Sequence, residues 1–368
     1  MPDMIIDRVK NFLFRGILLR LFRPRVGSTL PLSPRRVAVW QFGGIGDMII
    51  GAAVIRDIAK RYPEASIDLY CSNPGVSDFV LKLGEQVQGV HRYDAYSIDS
   101  RSILSRKARK HFLAVLHQHQ ENKYDLLVNL HVPKLIDWWF FEILLMRRSG
   151  AGFLAGFVPT RSSEGVLDRQ VESDVVVGTH YLELYKELLG PLGIHVSGRG
   201  YFPVSKKIQK GKLAVIHPGA SVLFKRWPVV NFVELARRLL DLGWDVVLVG
   251  DERERELGKE ILASLPQVRS VVGTMGIEEM ANLLASAELF IGNDSAPFHL
   301  AVAADVSAVG IFGAGPAMYS NYAVSNVRIA RKELFCVPCF KNECAFNMEC
   351  MTQLSVDAVW GAVCELID

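Results

Sequence analysis

Three short runs in this chain place small, acidic and cationic residues where an apolar stretch ends and a helical pattern begins. The first is Phe42-Gly43-Gly44-Ile45-Gly46-Asp47. Its glycines Gly43, Gly44 and Gly46 allow a tight turn and the close approach of a ligand. Asp47 falls at the helix start, where it serves either as a helix cap or as a base toward an incoming hydroxyl. A carboxylate in that place disfavours a phosphate immediately beside it, so this loop is expected to handle an acceptor hydroxyl.

The second run is His217-Pro218-Gly219-Ala220-Ser221, followed by Lys225-Arg226-Trp227-Pro228. Small residues permit close approach, and Lys225 is either a point charge for a phosphate or a solvated loop cation. The third is the polar turn Asn293-Asp294-Ser295-Ala296-Pro297-Phe298-His299, set between two apolar runs. Free amides at a helix start can hold a diphosphate, and Asp294 can accept hydrogen bonds from sugar hydroxyls. His299 lies on the first turn, facing either a ligand or the neighbouring strand. A fourth group, Cys336, Cys339, Cys344 and Cys350, has compact spacing that could hold structural zinc or an iron–sulfur cluster, or else forms a free-thiol loop. No Asp-x-Asp pair occurs in the chain, which points to metal-independent chemistry at a diphosphate.

These runs need strands to carry them and helices to receive them. Apolar runs at Val37–Phe42, Ser66–Cys71 and Tyr124–Leu130 predict strands, and 47–61, 102–121, 137–147 and 179–190 predict helices. The same alternation restarts after a Gly-, Pro- and Lys-rich stretch at 190–212. Strands are expected at Leu213–His217, Trp244–Gly250, Leu289–Asn293 and Ala308–Phe312. Helices are expected at 228–240, 251–265, 277–286, 297–303 and 355–366. The expectation is α/β: two doubly wound parallel-sheet domains, 37–195 and 212–368, with a Cys-rich loop at 336–350 and a ligand cleft between the domains.

With 368 residues, half of them hydrophobic, the chain is long enough for two globular domains. Its net charge of +3 is unevenly placed. Residues 1–36 hold eight basic and two acidic residues, and the remainder holds 34 basic and 37 acidic ones. A basic arm on a mildly acidic body points to an anionic membrane surface and not to nucleic acid. Within the arm, Ile5, Val9, Phe12 and Leu13 fall on one helical stripe, and 23–36 reads as a linker. Neither a secretory signal nor an apolar run of spanning length is found, so a cytoplasmic location is expected. The dinucleotide fingerprint fails, because Ile49 stands where its last glycine belongs, which argues against a nicotinamide oxidoreductase.

Together, "FGGIGDMI", "HPGAS…KRWP" and "GNDSAPFHLA" resemble glycosyltransferase family 9, the ADP-heptose:lipopolysaccharide heptosyltransferase type. The segment "CVPCFKNECAFNMECM" also recurs in relatives. The resemblance runs from about residue 37 to the C-terminus, is weak between 92 and 200, and leaves out 1–36. It implies the GT-B fold, with two facing Rossmann-like domains, and inverting transfer of a sugar, usually L-glycero-D-manno-heptose from its ADP form. It implies that Asp47 is the general base, that Lys225 contacts the donor diphosphate, and that Asp294 orients the donor sugar. Ser221, Ser295, Ala296 and His299 then lie on the donor side, with Met275 of "GTMGIEE" beside the adenine and Asp251 or Glu252 at the ribose. Ala296 stands where relatives often have Gly. The implied partners are a nucleotide-sugar donor and a lipid-linked glycan acceptor, with the enzyme peripheral on the inner face of the inner membrane. Alternatives are a GT-B transferase or epimerase acting on another nucleotide sugar, and a non-catalytic sugar-nucleotide- or glycan-binding protein of the same fold.

Overall fold

The structure is a computed structural model, and it describes residues 28–367 apart from 73–84, 94–104, 133–135, 159–164, 173–178, 198, 205–210, 316–321, 323, 338 and 340–343. The chain divides into two compact units at Ser197/Gly198, with the run ending at His180–Tyr181 grouped with the second unit. The apolar helical stripe expected in the basic arm lies outside the described residues.

In the first unit, β1 (Arg36–Trp40) leads into α1 (Ile45–Arg61), β2 (Ser66–Cys71) and β3 (Val87–Arg92). Then come α2 (Arg106–Asn122), β4 (Leu126–Asn129), α3 (Ile136–Arg148), β5 (Phe153–Val158), β6 (Arg169–Glu172) and α4 (Tyr181–Leu189). All six strands are parallel, in the order β3-β2-β1-β4-β5-β6. Val37–Trp40, Leu126–Val128 and Leu154–Ala155 are wholly buried, as a parallel sheet covered on both faces requires. Three of these strands were not foreseen. β3 (VQGVHR) and β6 (RQVE) are edge strands with polar, partly exposed sequences, and so lack an apolar signature. β5 (FLAGFV) is apolar and buried throughout, and it lies in the stretch where the family resemblance is weak.

The second unit repeats the plan with β7 (Leu213–His217), α5 (Val229–Asp241), β8 (Asp245–Leu248), α6 (Arg255–Ser264), β9 (Arg269–Ser270) and α7 (Ile277–Ser286). It continues through β10 (Leu289–Asn293), α8 (Ala296–Ala303), β11 (Ser307–Ile311), β12 (Val327–Ala330), α9 (Glu349–Thr352) and α10 (Val356–Ile367). The order is β12-β11-β10-β7-β8-β9, again all parallel. Helix α5 begins after Pro228 and buries Phe232, Val233, Leu235, Ala236 and Leu239, a single stripe at helical spacing. It ends at Gly243, whose φ of +76° suits glycine. Trp227 anchors its entry: the indole is 1% exposed, meets Phe232 edge-on and donates to the Leu354 carbonyl at 2.9 Å.

Both sheets therefore have the same doubly wound order. The strand sequence reverses between β1 and β4 in one unit and between β7 and β10 in the other. Ligands of such sheets bind in the crevice beyond the strand carboxyl ends at that reversal.

A buried polar chain stiffens the first unit. The Trp40 indole donates to His119 Nε2 at 2.9 Å, and His119 Nδ1 bonds the Val115 carbonyl at 2.8 Å. Indole N–H can only donate, so Nε2 carries no proton and the ring is neutral. Burial agrees, holding the His119 pKa down at about 4. Tyr70 and Tyr124 share a hydroxyl bond of 3.0 Å, and Tyr124 donates to Asp68 at 2.6 Å. Burial pushes the Tyr70 hydroxyl up to about 12.

Candidate active site

The loop after β1 reaches its turn through Gly43 at φ +117°, a conformation glycine adopts without strain. A Cβ at Gly43 would also collide with the Asp47 carboxylate. Asp47 stands on the first turn of α1, and its Oδ2 accepts from the Gly44 N–H at 2.8 Å. It is thus a helix cap. Its main chain is tied as well: Gln41, 3% exposed, donates Nε2 to the Asp47 carbonyl at 3.0 Å. On the other side of the reversal, β4 ends in Asn129, with His131 two residues on. Asn129 accepts from the His131 N–H at 2.9 Å and donates to Glu142 at 3.1 Å, while His131 Nδ1 meets Glu142 at 2.7 Å.

In the second unit, the residues after β7 and β10 interlock. Asn293 is wholly buried. It accepts from the Trp227 N–H at 3.1 Å and donates to the carbonyls of Pro218 and Gly219 at 2.9 and 3.1 Å. One amide thereby binds three stretches of chain together. Ser295 Oγ lies 3.0 Å from His217 Nδ1 and donates to the Asn293 carbonyl. Arg226 is used to close the loop, donating Nε to the Ala220 carbonyl at 2.9 Å. Lys225 instead points at Asp294, with Nζ 2.7 Å from Oδ2 of a carboxylate that is 6% exposed. Ser221 is exposed, four residues before Lys225. Ser295 precedes α8 and Ala296 opens it; Pro297, next, has no N–H, and the Phe298 N–H is bonded to the Ser295 carbonyl at 3.1 Å.

Not every anticipated residue joins this group. His299 is 3% exposed and bonds the Tyr322 hydroxyl at 2.9 Å through Nδ1, so it packs inside the unit. Burial, with Lys225 adding to it, holds its pKa down at about 4. Asp251 and Glu252 are not the acids that face the β7 turn. Asp251 binds Arg253, and Glu252 binds Arg255 at 2.7 Å. The acid that turns inward is Glu254, one helical turn further on and 7% exposed. It takes His217 Nε2 at 3.0 Å and the Asp251 N–H at 2.9 Å, and a Cβ on Gly219 or Gly250 would strike it. Burial alone would raise its pKa, but the His217 bond and charge and the Asp251 amide outweigh that and lower it. The run Asp251-Glu252-Arg253-Glu254 offers three acids, and only the phase of the short 3₁₀ turn selects one. Met275 is half-buried in the turn just before α7.

The Cys-rich loop braces the far side of this turn. Cys339 donates its N–H to the Ala314 carbonyl at 3.1 Å, and Arg331 donates to the Gly315 carbonyl at 2.9 Å. Gly315 is required there, because a Cβ would overlap the Asp294 carboxylate. Cys344 Sγ accepts from the N–H groups of Phe346 and Met348 at 3.4 and 3.2 Å. All six cysteines are free thiols, and burial followed by the nearby Cys344, Cys339 and Cys336 pushes the Cys350 thiol up. Among the described residues, no group of three or more His, Cys, Asp or Glu side chains stands in a metal-holding arrangement.

Two doubly wound parallel-sheet units, the second with a lysine, a helix start and a buried acid gathered at its strand reversal, define a glycosyltransferase of the GT-B class. The chain belongs to glycosyltransferase family 9 (heptosyltransferase), whose family model matches residues 150–349. It is 27% identical to lipopolysaccharide heptosyltransferase 3 of Escherichia coli over 73% of this chain and 81% of that protein. Its fold resembles a family 9 glycosyltransferase from Veillonella parvula, with a TM-score of 0.70 at 17% identity, covering 92% of this chain and 98% of the other. It also resembles E. coli heptosyltransferase WaaC with ADP-2-deoxy-2-fluoro heptose, with a TM-score of 0.65 at 18% identity, covering 90% and 99%.

Proposed function

We propose that this enzyme transfers heptose, with inversion, from ADP-L-glycero-D-manno-heptose to a lipopolysaccharide core or related surface-glycan acceptor. The observation that carries the reading is the set Lys225, Asp294, Ser295 and the start of α8, gathered at the β7/β10 reversal with Glu254 beside them. Lys225 and the Ala296 amide at the start of α8 take the donor diphosphate and stabilise the charge that develops on the departing ADP. Asp294 orients the donor sugar, Glu254 faces the ribose, and Met275 lies on the adenine side. Asp47 removes the proton from the acceptor hydroxyl, a contribution of about 10²–10⁴-fold for a well-placed base. Its bond to the Gly44 amide does not conflict with that role, since a carboxylate has two oxygens and accepts more than one hydrogen bond.

The test is a donor screen. ADP-heptose, UDP-sugars and GDP-sugars are offered with deacylated lipopolysaccharide core, and nucleoside diphosphate release is measured for the wild type and Asp47→Asn. ADP release from ADP-heptose alone, abolished in Asp47→Asn with ADP binding intact, is the expected result. Turnover of another donor, or full activity in Asp47→Asn, refutes the reading.

The remaining roles concern location and the cysteines. We propose that residues 1–25 dock the enzyme on the anionic inner face of the inner membrane. Each basic residue near such a surface contributes about 1 kcal/mol. No helix among the described residues is long and apolar enough to cross a membrane. A chain beginning at Arg35 should remain active on a water-soluble acceptor but lose binding to anionic liposomes; unchanged liposome binding refutes this. The cysteine loop is assigned a structural role through its brace on Ala314. Structural zinc or an iron–sulfur cluster on Cys336, Cys339, Cys344 and Cys350 and a free-thiol loop are the two forms of that role, and the transfer itself is proposed to need no metal. Zinc or iron analysis of anaerobically purified protein separates the two, and no zinc or iron above background removes the metal.

A further inference from the structure

Helix α2 divides cleanly into two sides. Ala108, Phe112, Val115 and His119 face the sheet and are buried. Arg106, Lys107, Arg109, Lys110 and Leu113 fall on the opposite side and are exposed. None of the four cations meets an acid among the described residues. Surface cations on other helices are paired, Arg237 and Arg238 with Glu234 and Lys259 with Glu256. Leu113 is 60% exposed on the same outer stripe as Arg106 and Lys110. The cations also stand against the helix dipole, whose positive end lies at the first turn, and that turn holds no acid. Stability of the helix therefore does not account for them.

The cationic half of α2 lies at a particular edge of the first unit. The helix runs antiparallel to the strands. Near its end, Asn122 accepts from Arg36 Nη2 at 3.2 Å, beside the start of β1. Near its beginning, the His111 ring lies 5.9 Å from that of Tyr93. Tyr93 follows β3, bonds the Cys71 carbonyl at the end of β2 through its N–H at 2.9 Å, and meets Phe42 edge to face at 5.0 Å. Phe42 opens the loop that carries Asp47. The cations thus stand at the carboxyl ends of β2 and β3, the edge on which that loop lies.

The outer side of a helix is convex, so these residues form a surface and not a cleft. Four long cationic side chains around an exposed leucine match a plane of anionic headgroups over an apolar interior. The charge is local, because the chain beyond residue 36 holds 34 basic and 37 acidic residues. We propose that the outer face of α2 docks on the anionic surface of a lipid bilayer through Arg106, Lys107, Arg109 and Lys110, with Leu113 entering the headgroup region. Docking there holds the edge that bears Asp47 close to the lipid. The use of this docking in transfer rests on the reading of the acceptor as lipid-linked; the docking itself does not. Each cation near such a surface is worth about fivefold in affinity. The contact is therefore reversible, weakened by salt, and additive with that proposed for residues 1–25.

The experiment measures binding of the full chain to vesicles of equimolar phosphatidylglycerol and phosphatidylcholine, and to phosphatidylcholine alone. Wild type is compared with Leu113→Ser and with the fourfold variant Arg106→Gln, Lys107→Gln, Arg109→Gln and Lys110→Gln. A control of equal charge change carries Lys212→Gln, Arg237→Gln, Lys259→Gln and Arg269→Gln on exposed positions of the second unit. The fourfold α2 variant should bind anionic vesicles at least tenfold more weakly than wild type, and the control within threefold of wild type. Leu113→Ser should weaken binding about threefold. Transfer from ADP-heptose to water-soluble deacylated acceptor should stay within twofold in every variant. Vesicle affinity of the α2 variant equal to that of the control overturns the proposal. So does an α2 variant that binds vesicles normally but shows a raised KM for the deacylated acceptor, since the surface would then serve the glycan itself. If the fourfold variant does not fold, the double variants Arg106→Gln with Lys107→Gln and Arg109→Gln with Lys110→Gln are read in its place, each with an expected loss of at least threefold. Vesicle binding that depends on α2 in a protein that transfers no heptose supports this docking and removes the proposed reaction alone.

Discussion

Asn293→Ala removes a side chain that binds the β7 turn, the entry to α5 and the end of β10 together. Three hydrogen bonds are lost at a wholly buried position. The Trp227 N–H is left without its acceptor, and a buried unpaired donor costs about 1–3 kcal/mol. The carbonyls of Pro218 and Gly219 each lose one donor, a smaller penalty because a carbonyl has a second lone pair. The sum is about 3 kcal/mol. For a unit of this size each kcal/mol moves the melting temperature by about 2–4 °C, so the second unit should melt roughly 6–12 °C lower. Fluorescence of the buried Trp227 reports that transition, and two-unit chains call for such a local probe in place of a single global fit. Asn293→Asp serves as the control. It keeps an acceptor for Trp227 but cannot donate to either carbonyl, and it adds a buried charge, so it should be at least as damaging. ADP affinity should fall in both, because the same turn carries the groups that meet Glu254 and Ser295. A fall of less than 2 °C in Asn293→Ala would refute the reasoning, by showing that the turn holds its shape without this amide.

Two other outcomes follow from the same geometry. Lys225→Ala should weaken ADP binding by about 1.5–3 kcal/mol, the worth of a charged hydrogen bond, or roughly 10- to 150-fold by calorimetry; unchanged affinity would separate Lys225 from the diphosphate. Acid should destabilise both units between about pH 6.5 and pH 4. His119 and His299 have folded pKa values of about 4, against an ordinary 6.5. The unfolded chain therefore takes up protons first, and stability that is complete above about pH 6.5 is lost as pH falls toward 4. Each shift is worth about 3 kcal/mol over that window. Urea midpoints should drop between pH 7 and pH 4.5, and His119→Gln, which still offers Trp40 an acceptor, should flatten the dependence of the first unit; an unchanged slope would contradict the neutral-ring assignment.

The local grammar of this protein was legible in its sequence. Runs such as Val37–Trp40 and Leu289–Asn293, each ending in a small or polar turn before a helix, announced two parallel-sheet units and the loops that carry Asp47, Lys225 and Asp294. The reason is that a strand buried on both faces must be apolar throughout, and a helix start must be capped, and both demands are met by neighbouring residues. What neighbours cannot specify is which strand lies beside which. Tertiary structure alone sets β1 against β4 and β7 against β10, and so brings His131 to Phe42 and Asn293 to Pro218, across 89 and 75 residues of chain. It also chose among equivalents. Of three acids after β8, the phase of one short turn buried Glu254 and left Asp251 and Glu252 to arginines at the surface. His299, polar in the sequence, was drawn inward because its face of α8 packs on Tyr322. Composition and spacing determine the kinds of element and the kinds of chemistry; the order of strands and the phase of helices decide which residues meet.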